Sequence, residues 1–125
     1  MNDKQIAFRD KCMAFAVRVV KLRSYLCEQK HEHDISRQLL RSGTVIGALQ
    51  REAYHAESDA DLVHKLAIAQ KECNESLYWI ELLYLTNYIT KAESESLSND
   101  ALELLKMLTA SIQTLKKRIK QQKQH

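Results

Sequence analysis

Residues 8–26 of the sequence read FRDKCMAFAVRVVKLRSYL, and this stretch decides the fold. Its apolar residues recur at alternating steps of four and three, an average spacing of about 3.5 that lines up side chains along one side of a bundled helix. We therefore predict a helix over about residues 3–29. Its apolar seam consists of Phe8, Cys12, Phe15, Val19, Leu22 and Leu26.

The same helix carries a second set of apolar residues off this seam: Ile6, Met13, Val17 and Val20. A helix that buries one face in a bundle core needs only one apolar stripe. We therefore expect the extra apolar face to contact a second subunit.

Three further segments repeat the four-three spacing and predict helices over about residues 34–57, 58–87 and 90–121. Asp34 or Ser36 is suited to cap the second helix, Ser58 with Asp61 resembles a capping box, and Thr90 with Glu93 forms another. Because the connections are short, successive helices must run antiparallel. The prediction is an all-α, up-down-up-down four-helix bundle over residues 1–121, followed by a basic polar tail at 122–125.

The composition excludes most other folds. The chain of 125 residues has two glycines and no proline, whereas a sheet protein of this size needs many turns that use both residues. Three cysteines without close spacing argue against a disulfide framework. The sequence opens without an apolar run, so we expect no signal peptide, no membrane association and a reduced, cytoplasmic domain.

Charge is distributed unevenly around the small net value of +3. Residues 1–30 hold seven Lys/Arg against three Asp/Glu, and residues 116–125 hold five against none, while the middle is acidic. Basic clusters bind nucleic-acid backbones or acidic proteins. They equally well complement a helix dipole or set helix pairing and subunit register. The candidate nucleic-acid-binding residues are Arg9, Lys11, Arg18, Arg23, Lys116, Lys117, Arg118 and Lys120.

Small residues interrupt the second helix. Each glycine inside a helix costs about 1 kcal/mol relative to alanine, so two glycines one turn apart indicate compensation by close packing. Packing within the subunit and a subunit interface are equally compatible with this pattern. The candidate packing residues are Ser42, Gly43, Gly47 and Ala48, with Trp79 from the aromatic end of the third helix.

No catalytic constellation emerges from the sequence. A di-metal bundle needs inward Glu residues and Glu-x-x-His pairs in mid-helix, but Glu52-x-x-His55 flanks a predicted connection and the first helix offers no inward Glu. Cys12 and Cys73 lie on apolar seams, where a thiol acts as a small hydrophobic group. We expect no enzyme, no cofactor and no metal, with a metal-binding bundle enzyme as the remote alternative.

Residues 38–48, which read QLLRSGTVIGA, are followed by Ala56-Glu57-Ser58 and by DLVHKLAIA at residues 61–69. Lys71-Glu72, Glu75 and YWIELL at residues 78–83 come next. This succession resembles the bacterial four helix bundle protein family, which is related to proteins encoded by intervening sequences of large-subunit rRNA genes. A more distant similarity is to the accessory protein of diversity-generating retroelements. The resemblance spans roughly residues 5–118.

The resemblance implies a four-helix fold and a ring of five subunits. The retroelement relative binds nucleic acid and a reverse transcriptase through a basic surface. The sequence departs from the family pattern at Val45, where serine is frequent, and at Leu49, where asparagine is frequent. Leu49 lies on the apolar seam, so we interpret it as a packing residue. Two functions follow as hypotheses: an oligomeric accessory or scaffold that binds RNA or DNA backbones, or a module that binds only proteins.

Overall fold

The computed structural model, described over residues 1–124, consists of four helices. They are α1 (Asp3–Lys30), α2 (Asp34–Ala53), α3 (Asp59–Leu85) and α4 (Lys91–Lys123). Residues 1–124 contain no strand. None of these helices carries an apolar stretch that would reach across a membrane. The predicted all-α four-helix bundle is confirmed.

Side-chain contacts show that neighbouring helices run antiparallel. The pairs that establish these directions are Ser42–Ser76 and Glu52–Lys65 between α2 and α3, and Cys73–Ala101 and Gln70–Thr109 between α3 and α4. In each case the residue number rises along one helix while it falls along the other. Helices α1 and α4 contact each other much less than the sequential pairs do, and this leaves part of α1 without a neighbour.

The core is built from the predicted seams. All four helices contribute fully buried side chains, among them Phe15, Val19, Ile46, Ile80 and Leu108. In α4 the four-three spacing predicts that Leu105 is a core residue, but Leu104 is buried there and Leu105 is only half-buried. A straight helix drifts relative to a strict 3.5-residue repeat, so the buried position moves by one residue there.

Helix ends differ from the predicted boundaries in three places. Helix α2 ends at Ala53 and not at 57, because residues 54–56 make short i to i−3 hydrogen bonds that turn the chain toward Ser58, the N-cap of α3. Helix α3 ends at Leu85 and not at 87, since Asn87 has a positive φ of 68°. Helix α4 continues to Lys123, so the predicted tail at 122–125 is helical over its first two residues, and residue 125 lies outside the described part.

The cap of α2 is also different from the prediction. Neither Asp34 nor Ser36 caps the helix. Instead the carboxylate of Glu32 accepts hydrogen bonds from the backbone N–H groups of Asp34, Ile35 and Ser36 at 3.1, 2.9 and 2.7 Å. The connection from residue 31 to residue 33 therefore supplies the N-terminal cap of α2, and the Glu32 side chain that forms this cap is almost fully buried.

Candidate nucleic-acid interface

Three of the eight candidate cations are held in ion pairs between helices. Lys11 Nζ lies 2.6 Å from a Glu103 oxygen and links α1 to α4. A second link is made by Arg18, whose guanidinium lies 2.6 Å from a carboxylate oxygen of Asp100. Both contacts are of the kind expected if flanking charges set helix pairing, and a role of Lys11 and Arg18 in nucleic-acid binding stays a prediction.

Arg118 makes the third interhelical pair. Its guanidinium donates two hydrogen bonds, of 2.8 and 2.7 Å, to the two carboxylate oxygens of Asp59 at the start of α3. The hydrogen bonds from Arg118 hold the pKa of Asp59 below its usual range, and they raise the pKa of Arg118 in turn. A fork-to-carboxylate pair of this kind fixes geometry, so Arg118 positions the end of α4 against α3.

The remaining candidates behave differently. Lys116, Lys117 and Lys120 are exposed on the last turns of α4, and no carboxylate within residues 1–124 forms an ion pair with them. Arg9 faces only the carboxylate of the adjacent Asp10, at 3.6 Å. Arg23 is half-buried, and its Nε is buried without a hydrogen-bond partner in the described part of the chain.

The fold brings the start of α1, the end of α2, the start of α3 and the end of α4 to the same end of the bundle. Tyr54 Oη donates a hydrogen bond of 3.1 Å to the backbone oxygen of Gln5, which joins α2 to α1. The Arg118–Asp59 pair joins α4 to α3 there. We call this region the cationic end, and define it by Lys4, Arg9, Arg51, Lys116, Lys117, Lys120 and Lys123.

A groove between α1 and α2 opens at the cationic end. It encloses about 620 Å³. Its polar lining comprises two arginines, a histidine, a glutamate and a threonine, and the other lining residues are apolar. The lining residues are Arg9, Cys12, Met13, Ala16, Thr44, Gly47, Ala48, Arg51, Glu52 and His55. A second opening of about 640 Å³ shares Arg9, Arg51 and His55 and extends to Met1, Gln5 and Tyr54.

Arg51 lies outside the set of site residues predicted from the sequence. By sequence it belongs to the acidic middle of the chain. In the structure, the packing of α2 against α1 places Arg51 on the same groove as Arg9. Antiparallel pairing of the first two helices would have placed the two residues at one end. The depth of the groove between them had no signal in the sequence.

The candidate packing residues of α2 face their own subunit. A Cβ atom at Gly43 would lie 3.0 Å from Val19 Cγ2, and one at Gly47 would lie 3.3 Å from Cys12 Cβ. Ser42 Oγ is 2.9 Å from Ser76 Oγ in the buried contact with α3. The two glycines therefore let α1 approach α2 closely.

Ala48 and Trp79, the other two candidates, are less enclosed. Ala48 is exposed on the wall of the groove. Trp79 is half-buried, donates from Nε1 to a Glu75 oxygen at 3.1 Å, and packs edge-on against Tyr78 with ring centroids 4.9 Å apart. Neither residue contributes to the close contact between α1 and α2.

The second apolar face of α1 is open to solvent. Met13 is 49% exposed, Val17 43% and Val20 47%. They follow one another at spacings of four and three, and so form one stripe along the helix. We call these three residues the α1 stripe. The core of one subunit does not use it.

The groups considered for catalysis are dispersed or inert. No cluster of three metal-ligating side chains occurs within residues 1–124. Burial raises the pKa of the Cys12 thiol to about 12, and the neighbouring Cys73 adds to this effect. The pKa of Cys73 is raised to about 11 by burial. Neither thiol forms appreciable thiolate near neutral pH, and the thiolate is the reactive form.

Fold and charge together define an antiparallel four-helix bundle that gathers unpaired cations at one end. The chain belongs to the 23S rRNA-intervening sequence protein family, whose model matches residues 4–110. This finding confirms the resemblance described from the sequence.

The solved structures include a protein of unknown function from the S23 ribosomal protein family of Bacteroides thetaiotaomicron VPI-5482, which is 48% identical in sequence. The match covers 88% of this chain and 98% of that one, with a TM-score of 0.86. No curated protein sequence matches the chain.

Proposed function

We propose that this protein is a non-enzymatic, oligomeric accessory or scaffold that binds the phosphate backbone of RNA or DNA through its cationic end. The observation that carries this proposal is the division among its cations. Lys11, Arg18 and Arg118 are held by carboxylates, whereas Lys116, Lys117 and Lys120 form no ion pair within residues 1–124.

The unpaired lysines lie where a phosphate backbone has access. Helix α4 is 33 residues long and α2 is 20. Arg118, which is fixed to the first residue of α3, lies among these lysines, and all three of them are exposed to solvent. Solvated, unpaired lysines release counterions when they meet phosphates, and this provides affinity without sequence reading. The family name refers to sequences that intervene in 23S rRNA, so RNA is the first nucleic acid to test.

Replacing all three lysines, in the variant Lys116→Gln/Lys117→Gln/Lys120→Gln, is expected to weaken RNA binding and its dependence on salt. Each phosphate contact contributes about 0.7–0.9 to the slope of log K against log salt, so three lost contacts lower the slope by about 2–3. Fluorescence anisotropy with a labelled RNA over a range of salt concentrations measures both quantities.

The matched control removes the same charge elsewhere, as Lys21→Gln/Lys71→Gln/Lys106→Gln. These lysines are exposed on α1, α3 and α4 away from the cationic end. Equal losses in the two triple variants would contradict an interface at the cationic end, and absence of binding by the unchanged protein at low salt would remove the proposal.

Self-association of the protein is supported by the α1 stripe. Three neighbouring apolar side chains, each more than two-fifths exposed, form a surface that a second copy would remove from water. The resemblance adds the expectation of five subunits. In such a ring the cationic end recurs with every subunit, so the modest charge of one copy becomes an extended positive surface.

The variant Val17→Glu is expected to dissociate the oligomer, because a carboxylate in an apolar contact is costly to desolvate. Light scattering should then report a mass near the 14.5 kDa of one chain, about one fifth of the mass of the unchanged protein if it is the pentamer. The control Ala92→Glu adds the same charge at an exposed position in the first turn of α4 and should leave the mass unchanged. A monomeric unchanged protein would contradict the proposed assembly.

A second candidate function is a protein-interaction module without nucleic-acid binding. The exposed α1 stripe favours it as well, since an apolar surface rimmed by charge is typical of protein contacts. Capture of a partner that survives nuclease treatment, together with no RNA binding at low salt, would favour this module over the proposed function.

A further inference from the structure

The groove between α1 and α2 combines two arginines with an apolar floor. Arg9 and Arg51 stand on facing helices at one part of the groove. The nearest carboxylate to Arg9 is that of Asp10, at 3.6 Å, and no ion pair engages Arg51 within residues 1–124. Glu52, the one acidic residue of the lining, lies 4.0 Å from Lys65 on α3.

Two arginines line both openings of this groove, and only one of them has a carboxylate partner, so together they favour an anion there. Guanidinium groups bind phosphate in a bidentate fork, and their weak hydration makes this contact favourable at a partly enclosed site. His55 lines both openings of the groove as well, and its imidazole carries a ring N–H that can donate a hydrogen bond.

The apolar part of the groove is suited to a flat, uncharged ring. Its floor consists chiefly of Cys12, Ala16 and Ala48, and Met13 of the α1 stripe lines it as well. Gly47 lets the two helices approach closely, since a Cβ atom there would already lie 3.3 Å from Cys12 Cβ. A groove of about 620 Å³ lies within the usual range of small-ligand sites, about 300–1,000 Å³.

We infer that this groove binds an unpaired nucleotide, with its phosphate between Arg9 and Arg51 and its base on the apolar floor. The inference rests on the proposed binding of nucleic acid and adds its form, a single strand. A duplex keeps its bases stacked inside and offers only backbone to a groove between two adjacent helices, whereas an unpaired base is free to enter. The groove opens at the cationic end, the same end of the bundle that carries the α4 lysines.

The test compares a labelled single-stranded RNA with the same RNA annealed to its complement. The variant Ala48→Phe fills the groove without changing any charge, and Ala48 is exposed, so the bundle tolerates the larger side chain. We expect single-strand affinity to fall about tenfold, the scale of losing one base contact, and duplex affinity to stay unchanged. The control Ala110→Phe adds the same side chain at an exposed position of α4, and it should change neither the single-strand nor the duplex affinity.

A second variant tests the phosphate position. Arg51→Gln should weaken single-strand binding more than duplex binding. Arg41 is an exposed arginine of α2 away from the groove, so Arg41→Gln should change the single-strand and duplex affinities by the same factor. Light scattering on Ala48→Phe is measured in parallel, because a changed mass would make the groove a subunit contact and overturn the inference.

The outcomes separate the inference from the function on which it rests. The groove site would be overturned if single strand and duplex bind with equal affinity and Ala48→Phe changes neither affinity. That result would leave backbone binding at the cationic end intact. Failure of the unchanged protein to bind either RNA at low salt would overturn both.

Discussion

Glu32→Ala is expected to lower the free energy of unfolding by about 3 kcal/mol, because it removes the acceptor for three backbone donors at once. The Glu32 carboxylate receives the N–H groups of residues 34–36 over distances of 2.7–3.1 Å. Its side chain is also nearly buried, and its charge lies at the positive end of the α2 dipole. Without it these donors have no side-chain acceptor at the start of α2.

The same contact makes stability depend on pH. Partial desolvation raises the pKa of Glu32, but the backbone hydrogen bonds from Ile35, Ser36 and Asp34 together outweigh it, and the net pKa is lowered. A lowered pKa in the folded state means that the stabilisation is complete above the ordinary glutamate pKa, about 4.3. It is lost progressively as the pH falls below that value and through the folded-state pKa.

Denaturant unfolding at several pH values checks both statements. The difference in unfolding free energy between the unchanged protein and Glu32→Ala should be constant near neutral pH and should shrink below about pH 4.3. Glu28→Ala is the control, since Glu28 is exposed in the last turn of α1 and forms no ion pair within residues 1–124. A pH-independent difference would show that the carboxylate charge contributes nothing to the cap.

The helices were predictable because each buries a long apolar seam, and the spacing of that seam is visible in the sequence. The connections between the helices were less predictable. A search for caps considers Ser, Thr, Asp or Asn directly before the helix, and it succeeded for Ser58 and Thr90. It missed Glu32, whose longer side chain reaches these N–H groups from two residues before α2, directly after His31 with its positive φ of 53°. That backbone conformation has no signal in the spacing of apolar residues.

The candidate interface was predictable only as a set of basic residues. Sequence alone does not tell which lysine meets a carboxylate, because Lys11 and Glu103 are 92 positions apart and meet only in the bundle. The fold divides the set into paired cations and unpaired ones. It also adds Arg51, a basic residue of α2 outside the candidate set, which the fold places on the groove with Arg9.

Gly43→Val is expected to have the largest effect on stability, a loss of about 3–4 kcal/mol. Even a Cβ atom at this position would lie 3.0 Å from Val19 Cγ2 and 3.3 Å from Phe15 Cε2. Both neighbours are fully buried, so neither has room to rotate away. The gain in helix propensity over glycine, at most about 1 kcal/mol, does not offset two further methyl groups in the same space.

The control Ala48→Val introduces the same side chain five residues later on the exposed side of α2, where it should change stability by less than about 1 kcal/mol. Chemical denaturation of both variants measures the difference, and similar values would show that α1 and α2 are not closely packed at Gly43.

The close contact between Gly43 and Val19 also predicts how a double variant behaves. Val19→Ala alone leaves a cavity, but combined with Gly43→Ala it makes room for the added methyl. The paired loss should therefore be smaller than the sum of the single losses by about 1 kcal/mol, the coupling expected of side chains in direct contact.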